Sequence, residues 1–420
     1  RGEQETSVTD NDHRGGKRTD DDHRDDVTGL HAENAAEKHR LDAALGLSVT
    51  VEQREADRER SRGDHTDRRV GSENPSARDA SDEDSRDDSP QARTDEVVEV
   101  HHRRCRRAAD AMNEFDLIAR LTKSLPTNKN VLVGAGDDCA VLNGGAKRDL
   151  LFKTDAVVEG IHFTKETPPE KVGRKALARC LSDIAAMAGT PDAVLVTLGL
   201  PRNHDVALIE KIYDGMGALA QEHGVAIVGG ETTTSPERMF LSISLLGHVP
   251  KGKAILRSGA RVGDALFVTG ELGGSIAGRH LDFEPRLAEA RWLAAHFKIH
   301  AMIDLSDGLA GDLRHLLNVA GLGADLGADT VPVSRAAKLA AKASSQAKPT
   351  LLAALTDGED FELLFTLAAS SAVRLKDAWK ETFPKLKLTC IGKITAEPGL
   401  RLRDKFGVRA FKGEGYQHFA

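Results

Sequence analysis

The residues that could do chemistry in this chain are carboxylates. Asp137 and Asp138 follow a glycine turn, Gly134-Ala135-Gly136. Asp155 closes the apolar run that begins at Leu150, and Asp183 interrupts an apolar stretch with helical spacing. Glu231 follows Gly229-Gly230, Asp304 and Asp307 flank Leu305-Ser306, and Glu359 and Asp360 follow Gly358. Acids gathered in one place repel each other and are tolerated only if solvated, protonated or bound to cations. Oxygen ligands of this kind suit a hard cation, Mg2+ rather than Zn2+. Each acid also has a plainer reading, as a turn residue, a helix N-cap or part of a solvated face. For Asp304 or Asp307 the N-cap is an equal reading. Asp183 is costlier, because a carboxylate inside an apolar helix must be paired or metal-bound. So many acids in glycine-adjacent turns are best explained together, by one site that holds several metal ions.

Glycine pairs let backbone amides approach an anion, and a following helix N-terminus favours it. Gly229-Gly230 and Gly273-Gly274-Ser275 have this form, although an ordinary tight turn is the favoured reading of the second. The chain has no GxxxxGK[ST] loop, no GxGxxG after its first strand and no protein-kinase signature set. A nucleotide would therefore be held through acids and Mg2+. Arg257, beside Ser258-Gly259, suits a phosphate and suits an ordinary loop position equally well. His162 and Tyr416 read as packed side chains or as substrate contacts. No Ser-His-Asp or Cys-His arrangement is evident.

An α/β scaffold must position these groups. Phe115, Leu117, Ile118 and Leu121 have helical spacing. Short strands over residues 131–133 and 140–142 flank the Gly-Asp-Asp turn, and a third over 150–153 ends at Thr154-Asp155. Pro168-Pro169 opens a helix to Met187. A strand over 192–200 precedes a helix over 206–223 that Gly224 caps. A strand over 225–228 runs into a turn at 229–233, and another follows over 239–249. A second unit begins near Lys251. It carries strands over 264–269, 301–304 and 361–367 and helices over 285–297 and from Leu305 to Ala320. The expected class is α/β (α+β).

Charge divides the chain. Residues 1–100 hold 16 Lys+Arg against 28 Asp+Glu, a net charge of −12, while the whole chain is −7, which leaves +5 for the rest. Such a mildly basic body suits an anionic small substrate and argues for no nucleic-acid partner. Residues 1–110 are expected to be a disordered acidic tail: nearly half charged and without aromatics, they cannot bury enough apolar surface to order. The first Met is Met112, where the globular pattern starts, so a start-site artefact is the favoured account of the tail; an acidic interaction tail is the alternative. The expected body is a metal-binding α/β domain over 111–250 and a second α/β domain over 251–420. Four cysteines without CxxC spacing argue against structural zinc and fit the cytoplasm. No apolar run is long enough to span a membrane.

Read together, several segments resemble the thiamine-monophosphate kinases: EFDLIARL, GAGDDCAVL, KTDAVVEGIHF, KALARCLSDIAAMAGTPD, VGGETT, GKAILRSGARVGD, IDLSDGLAGDL, GEDFELLF and KGEGYQHF. They cover essentially all of 112–420. The resemblance implies a two-domain fold shared with aminoimidazole ribonucleotide synthetase and selenophosphate synthetase, and a homodimer. It implies ATP-dependent phosphorylation of thiamine monophosphate to thiamine diphosphate, with several Mg2+ ions. By the same carry-over, Asp138, Thr154, Asp155, Asp183, Glu231, Asp304 and Asp307 would hold metal. Gly230, Glu231, Arg257 and Ser306 would contact ATP, and His162, Glu359 and Tyr416 the thiamine monophosphate. Asp155, Asp307 and Arg257 would act in the transfer itself.

Three features depart from the family pattern. Glu231 stands where Asp is usual, Lys153 stands where Ser or Thr is common, and the stretch from Gly278 to Asp304 is shorter than in some relatives. The acceptor phosphate is ionised near neutral pH, so the reaction needs relief of repulsion between polyanions more than a strong base, and direct in-line transfer is expected. An ATP-dependent synthetase of the same superfamily, acting on another small phosphorylated substrate, is the alternative. A metal-dependent phosphatase and a scaffold working through its tail are more distant rivals.

Overall fold

The computed structural model describes residues 114–344, 346–413, 415 and 416. The tail expected over residues 1–110 lies outside the described residues, as do Gln417, His418 and Phe419 of the terminal motif. Helix α1 (Glu114–Thr122) leads into a six-stranded sheet of β1 (Val131–Val133), β2 (Ala140–Asn143), β3 (Arg148–Val158), β4 (Thr190–Leu200), β5 (Ala226–Thr234) and β6 (Phe240–Pro250). Its spatial order is β1-β2-β3-β6-β4-β5. Helix α2 (Pro169–Ala186) joins β3 to β4, and α3 (Val206–His223) joins β4 to β5. Only β4 and β5 of this sheet pair in parallel, and α3 is the crossover that a parallel pair requires.

Helix α2 organises the molecule. Pro169 occupies its first turn, as the sequence predicts. From Val172 onward nearly every residue is buried, the signature of a helix enclosed on all sides. It packs on α3, β3 and β6. The crossing with α3 is close because both helices present glycine. A Cβ on Gly173 would lie 1.8 Å from the Ile212 carbonyl oxygen, and one on Gly215 would lie 1.9 Å from that of Glu170. Asp205 caps α3 by accepting from the Ala207 N–H, and Gly224 ends it in the left-handed conformation, matching the expected C-cap.

The second sheet contains β7 (Asp264–Thr269), β8 (Ile299–Asp304), β9 (Gly323–Gly327), β10 (Leu363–Ala368), β11 (Leu388–Thr395), β12 (Gly399–Asp404) and β13 (Gly407–Ala410). Its order is β13-β12-β9-β11-β7-β10-β8, and it shares no strand with the first. Its helices are α4 (Arg279–Asp282), α5 (Leu287–His296), α6 (Leu309–Ala320), α7 (Arg335–Ala343), α8 (Thr350–Thr356) and α9 (Ala372–Thr382). The far side of α2 packs on α5 and β8, so one buried helix serves both sheets. The two-part mixed α/β architecture expected from the sequence is present.

Two local expectations change. Residues 229–233 are not a turn: they continue β5 along β4. Glycine is needed there because a Cβ on Gly230 would lie 1.8 Å from the Val196 carbonyl oxygen. The N-cap of α6 is Gly308, with φ 101° and no side-chain cap, so neither Asp304 nor Asp307 is spent on capping it. Among the described residues no helix is long and apolar enough to cross a membrane.

Candidate active site

Three buried carboxylates meet at α2. Asp183 lies on this helix, Asp138 in the turn before β2, and Asp304 at the end of β8. Carboxylate oxygens of the three lie within 4.8 Å of one another, and all three residues are buried. Each has a partner of a different kind. Lys153 Nζ donates to Asp183 Oδ1 at 2.9 Å. Arg257, in the turn before β7, donates from its guanidinium to Asp138 Oδ1 at 2.5 Å. The Ser182 hydroxyl donates to Asp304 Oδ2 at 2.6 Å, which ties α2 to the second sheet. Burial pushes the Asp304 pKa up to about 6, with the charge of Asp138 adding to it. Burial also raises Asp183, against the pull of Lys153. Asp137, beside the cluster, rises to about 6 through burial and the charge of Asp138. Burial disfavours the Lys153 ammonium, but Asp183 and Asp155 outweigh it and hold the group charged. The donor set fits a hard cation. Asp138 Oδ2 is buried with no hydrogen-bond partner among the described residues, an orphaned acceptor of the kind that a metal ion satisfies.

A cleft of about 140 Å3 opens beside this cluster, lined by His162, Arg179, Ser306, Asp307, Glu359 and Tyr416 among others. The three side chains expected to touch substrate are thus brought together, with Ser306 and Asp307. Lys175 underlies the cleft and is 1 % exposed. Its ammonium donates to Glu359 Oε2 at 2.7 Å and to the His162 carbonyl at 2.8 Å, and lies 2.7 Å from His280 Nδ1. Burial disfavours the Glu359 carboxylate, yet His280 and Lys175 hold its pKa down to about 2. His162 Nδ1 accepts the Val158 N–H at 3.1 Å, which requires that nitrogen to be unprotonated. Burial, helped by the Arg179 charge, accordingly lowers the His162 pKa to about 4. Glu359 and Phe361 both have positive φ, 54° and 50°. The strain is held by their N–H groups, which donate to the Ser306 and Leu305 carbonyls at 2.7 Å each. The Asp307 N–H donates to Asp312 Oδ2 at 3.1 Å, and the Tyr416 N–H to the Asp307 carbonyl at 2.9 Å.

Not every expected residue joins the cluster. Asp155 faces Arg179, Oδ2 to Nε 3.2 Å. Thr154 and Glu231 are turned away. Strand neighbours point to opposite faces, and the Thr154 hydroxyl lies among Ser242 and Ser244, on the face that α2 does not cover. Glu231 pairs with Thr197, which pairs with Ser242 on that same outer face. The sheet therefore stands between these two side chains and Asp183. Gly230 faces Val196 on the inner side. Asp360 is also separate: its carboxylate accepts the Gly273 N–H at 2.9 and 3.1 Å and so fastens the glycine-rich turn. The Gly274 N–H is likewise taken by Asp357, which bears out the tight-turn reading of Gly273-Gly274.

Sequence reading missed Lys175, Arg179, Ser182, His280 and Asp312. A signal for the first two was available. Lys175, Arg179 and Asp183 recur every four residues along a helix whose second half is otherwise mostly small and apolar, which places three charges on one face.

The N-terminal domain of the AIR synthase related proteins matches residues 136–249, and their C-terminal domain matches residues 261–405. The thiamine-monophosphate kinase of Rhodopirellula baltica is 40% identical over 288 residues, covering 66% of this chain and 87% of that protein. That of Salmonella typhimurium is 37% identical over 334 residues, covering 74% of this chain and 99% of its own length. A solved structure described as "AaThiL complexed with AMPPCP and TMP" superposes with a TM-score of 0.62 at 30% identity, over 73% of this chain and 97% of that one. The chain belongs to the thiamine-monophosphate kinases, within the AIR synthase related family.

Proposed function

We propose that this chain transfers the terminal phosphoryl group of ATP directly to the phosphate of thiamine monophosphate, giving thiamine diphosphate and ADP. The observation that carries the reading is the shared helix: α2 brings a buried three-carboxylate cluster side by side with a cleft that holds Arg179 and Glu359. Kinship with proteins of that name, one of them solved with AMPPCP and TMP, supports the substrate choice.

Asp138, Asp183 and Asp304 would hold Mg2+, with Asp155 and Asp307 the acids closest to them in role. When bound there, Mg2+ would neutralise charge between the two polyanions. Arg257 is set to swing from Asp138 toward a nucleotide phosphate, and Ser306 would contact the same ligand. Arg179, inside the cleft, adds a second cation for the acceptor phosphate. Glu359 is a fixed anion on the cleft wall, suited to a cationic heterocycle, with His162 and Tyr416 beside it. His162 is neutral at pH 7, so it serves as a hydrogen-bonding group and not as a cation. An ionised phosphate oxygen needs no base to attack, and in-line geometry is then the main demand on the site.

The homodimer and the cytoplasmic setting belong to the same proposal. The outer face of the six-stranded sheet exposes Phe152, Leu195 and Leu246, at 48%, 49% and 37%. Register places Phe152 opposite Leu246, an adjacent exposed apolar pair that suits a second copy of the chain. Light scattering on a sizing column would read the expected mass of two chains.

The test is full-length protein with ATP, MgCl2 and thiamine monophosphate, with thiamine diphosphate read by thiochrome fluorescence after chromatography. Product from the wild type and none from Asp183→Asn is expected. ATP bound without diphosphate formed would overturn the reading in favour of a synthetase of the same superfamily.

A further inference from the structure

The acidic cluster is not balanced by its surroundings in a uniform way. Three carboxylates, Asp138, Asp183 and Asp304, share one buried volume. Two cations enter it: Arg257 at Asp138, 2.5 Å, and Lys153 at Asp183, 2.9 Å. Asp304 has the neutral Ser182 hydroxyl. With all five charged, the net is one negative charge instead of three. The two cations differ in kind. Arg257 sits in a short turn outside any strand, where it can exchange partners. Lys153 projects from the middle of β3, and that strand is locked along its whole length to β6. Its ammonium places one positive charge at the Asp183 carboxylate, as a bound metal ion would.

We propose that Lys153 acts as a built-in monovalent cation at the Asp183 corner of the cluster, where it takes the place of a divalent ion and lowers the number or affinity of Mg2+ ions that the resting protein binds. The inference rests on the reading of these acids as the Mg2+ ligands of the proposed kinase. A consequence is that the cluster stays folded without metal, because its worst repulsion is already relieved.

The test is calorimetric titration of MgCl2 into the full chain without ATP or thiamine monophosphate, together with melting temperature with and without Mg2+. Lys153→Met removes the charge and keeps the length; Lys153→Arg keeps the charge. The Met variant is expected to bind either one more Mg2+ ion or the same number at least tenfold more tightly, and to melt lower than wild type in EDTA with the loss recovered by Mg2+. The Arg variant is expected to follow wild type. Equal Mg2+ stoichiometry and affinity in wild type and Lys153→Met would overturn the proposal, as would an Arg variant that follows the Met one. If Lys153→Met folds only with Mg2+, the proposal is supported. If it does not fold at all, Lys153→Gln takes its place under the same criteria, and failure of both to fold even with Mg2+ would overturn it. None of these readouts uses turnover. A protein that passes them and makes no thiamine diphosphate would sink the proposed function and leave the role of Lys153 standing.

Discussion

Two groups of buried acids are treated differently. Asp360 and Glu362, next to β10, are 0 % and 1 % exposed. Glu362 is met by Arg279, by Arg286 through two donors, and by the Thr269 hydroxyl. Asp360 is met by the Gly273 amide and by Arg279. Asp138, Asp183 and Asp304 are as deeply buried, yet one of their oxygens is orphaned and cations do not match acids in number. The first group is a finished structural joint. The second is left one partner short, which is what a ligand site requires. Burial alone does not tell the two apart; the count of partners does.

Substitutions should break this contrast in opposite ways. The largest effect is expected at Asp304: Asp304→Asn should cut the rate of thiamine diphosphate formation by about a thousandfold, since several kcal/mol of charge stabilisation in the transition state would be lost. The same variant should unfold in urea no earlier than wild type, because it removes a buried charge that is under-compensated. Glu362→Ala should do the reverse. It strands two guanidinium groups and should cost about 3–5 kcal/mol of stability in a denaturant titration, with the folded fraction still turning over.

Lys175→Met is expected to fall between these. It cuts a buried charge-assisted link to Glu359, an interaction of about 1.5–3 kcal/mol, and should raise KM for thiamine monophosphate about tenfold or more while kcat changes less. A kcat loss with unchanged KM would show that Lys175 does not act by placing Glu359.

The smallest effect is in pH. His162 has a folded pKa of about 4 against an ordinary 6.5, so between those values the unfolded chain binds a proton that the folded protein refuses. The His162 contribution to stability therefore falls as pH drops from 6.5 to 4, while Asp137 and Asp304, raised to about 6, contribute in the opposite sense below pH 6. Glu359, held at about 2 against 4.5, adds a further loss below pH 4.5. In melting scans at stepped pH, the stability of wild type relative to His162→Gln should decline between pH 6.5 and 4 and stay level below that.

Much of the site was legible because carboxylates beside glycines are conspicuous at strand ends. Asp138, Asp183 and Asp304 were singled out from sequence and do converge. What could not be read was which side of a sheet a residue faces. Glu231 and Thr154 belong to strands whose register depends on β4 and β6, and that pairing is set by long-range packing rather than by local pattern. The Gly229-Gly230 pair misled for a related reason. Glycine in a strand looks like a turn signal, yet here it admits the Val196 carbonyl. In the second half, the amphipathic spacing of α7 was a usable signal, whereas α8 and β13 are too short to set a period. The charges on α2 were visible but were overlooked, because a buried helix hides its polar face among small apolar residues.

The position of α2 between the two sheets also bears on how the molecule opens. A segment can exchange its amide hydrogens with solvent independently only if it can detach without disrupting its neighbours. Helix α2 contacts strands of both sheets, and Ser182 and Lys175 bond across to Asp304 and Glu359. Its amides should therefore exchange only in the globally unfolded state, and the two halves should melt in a single transition despite having separate sheets.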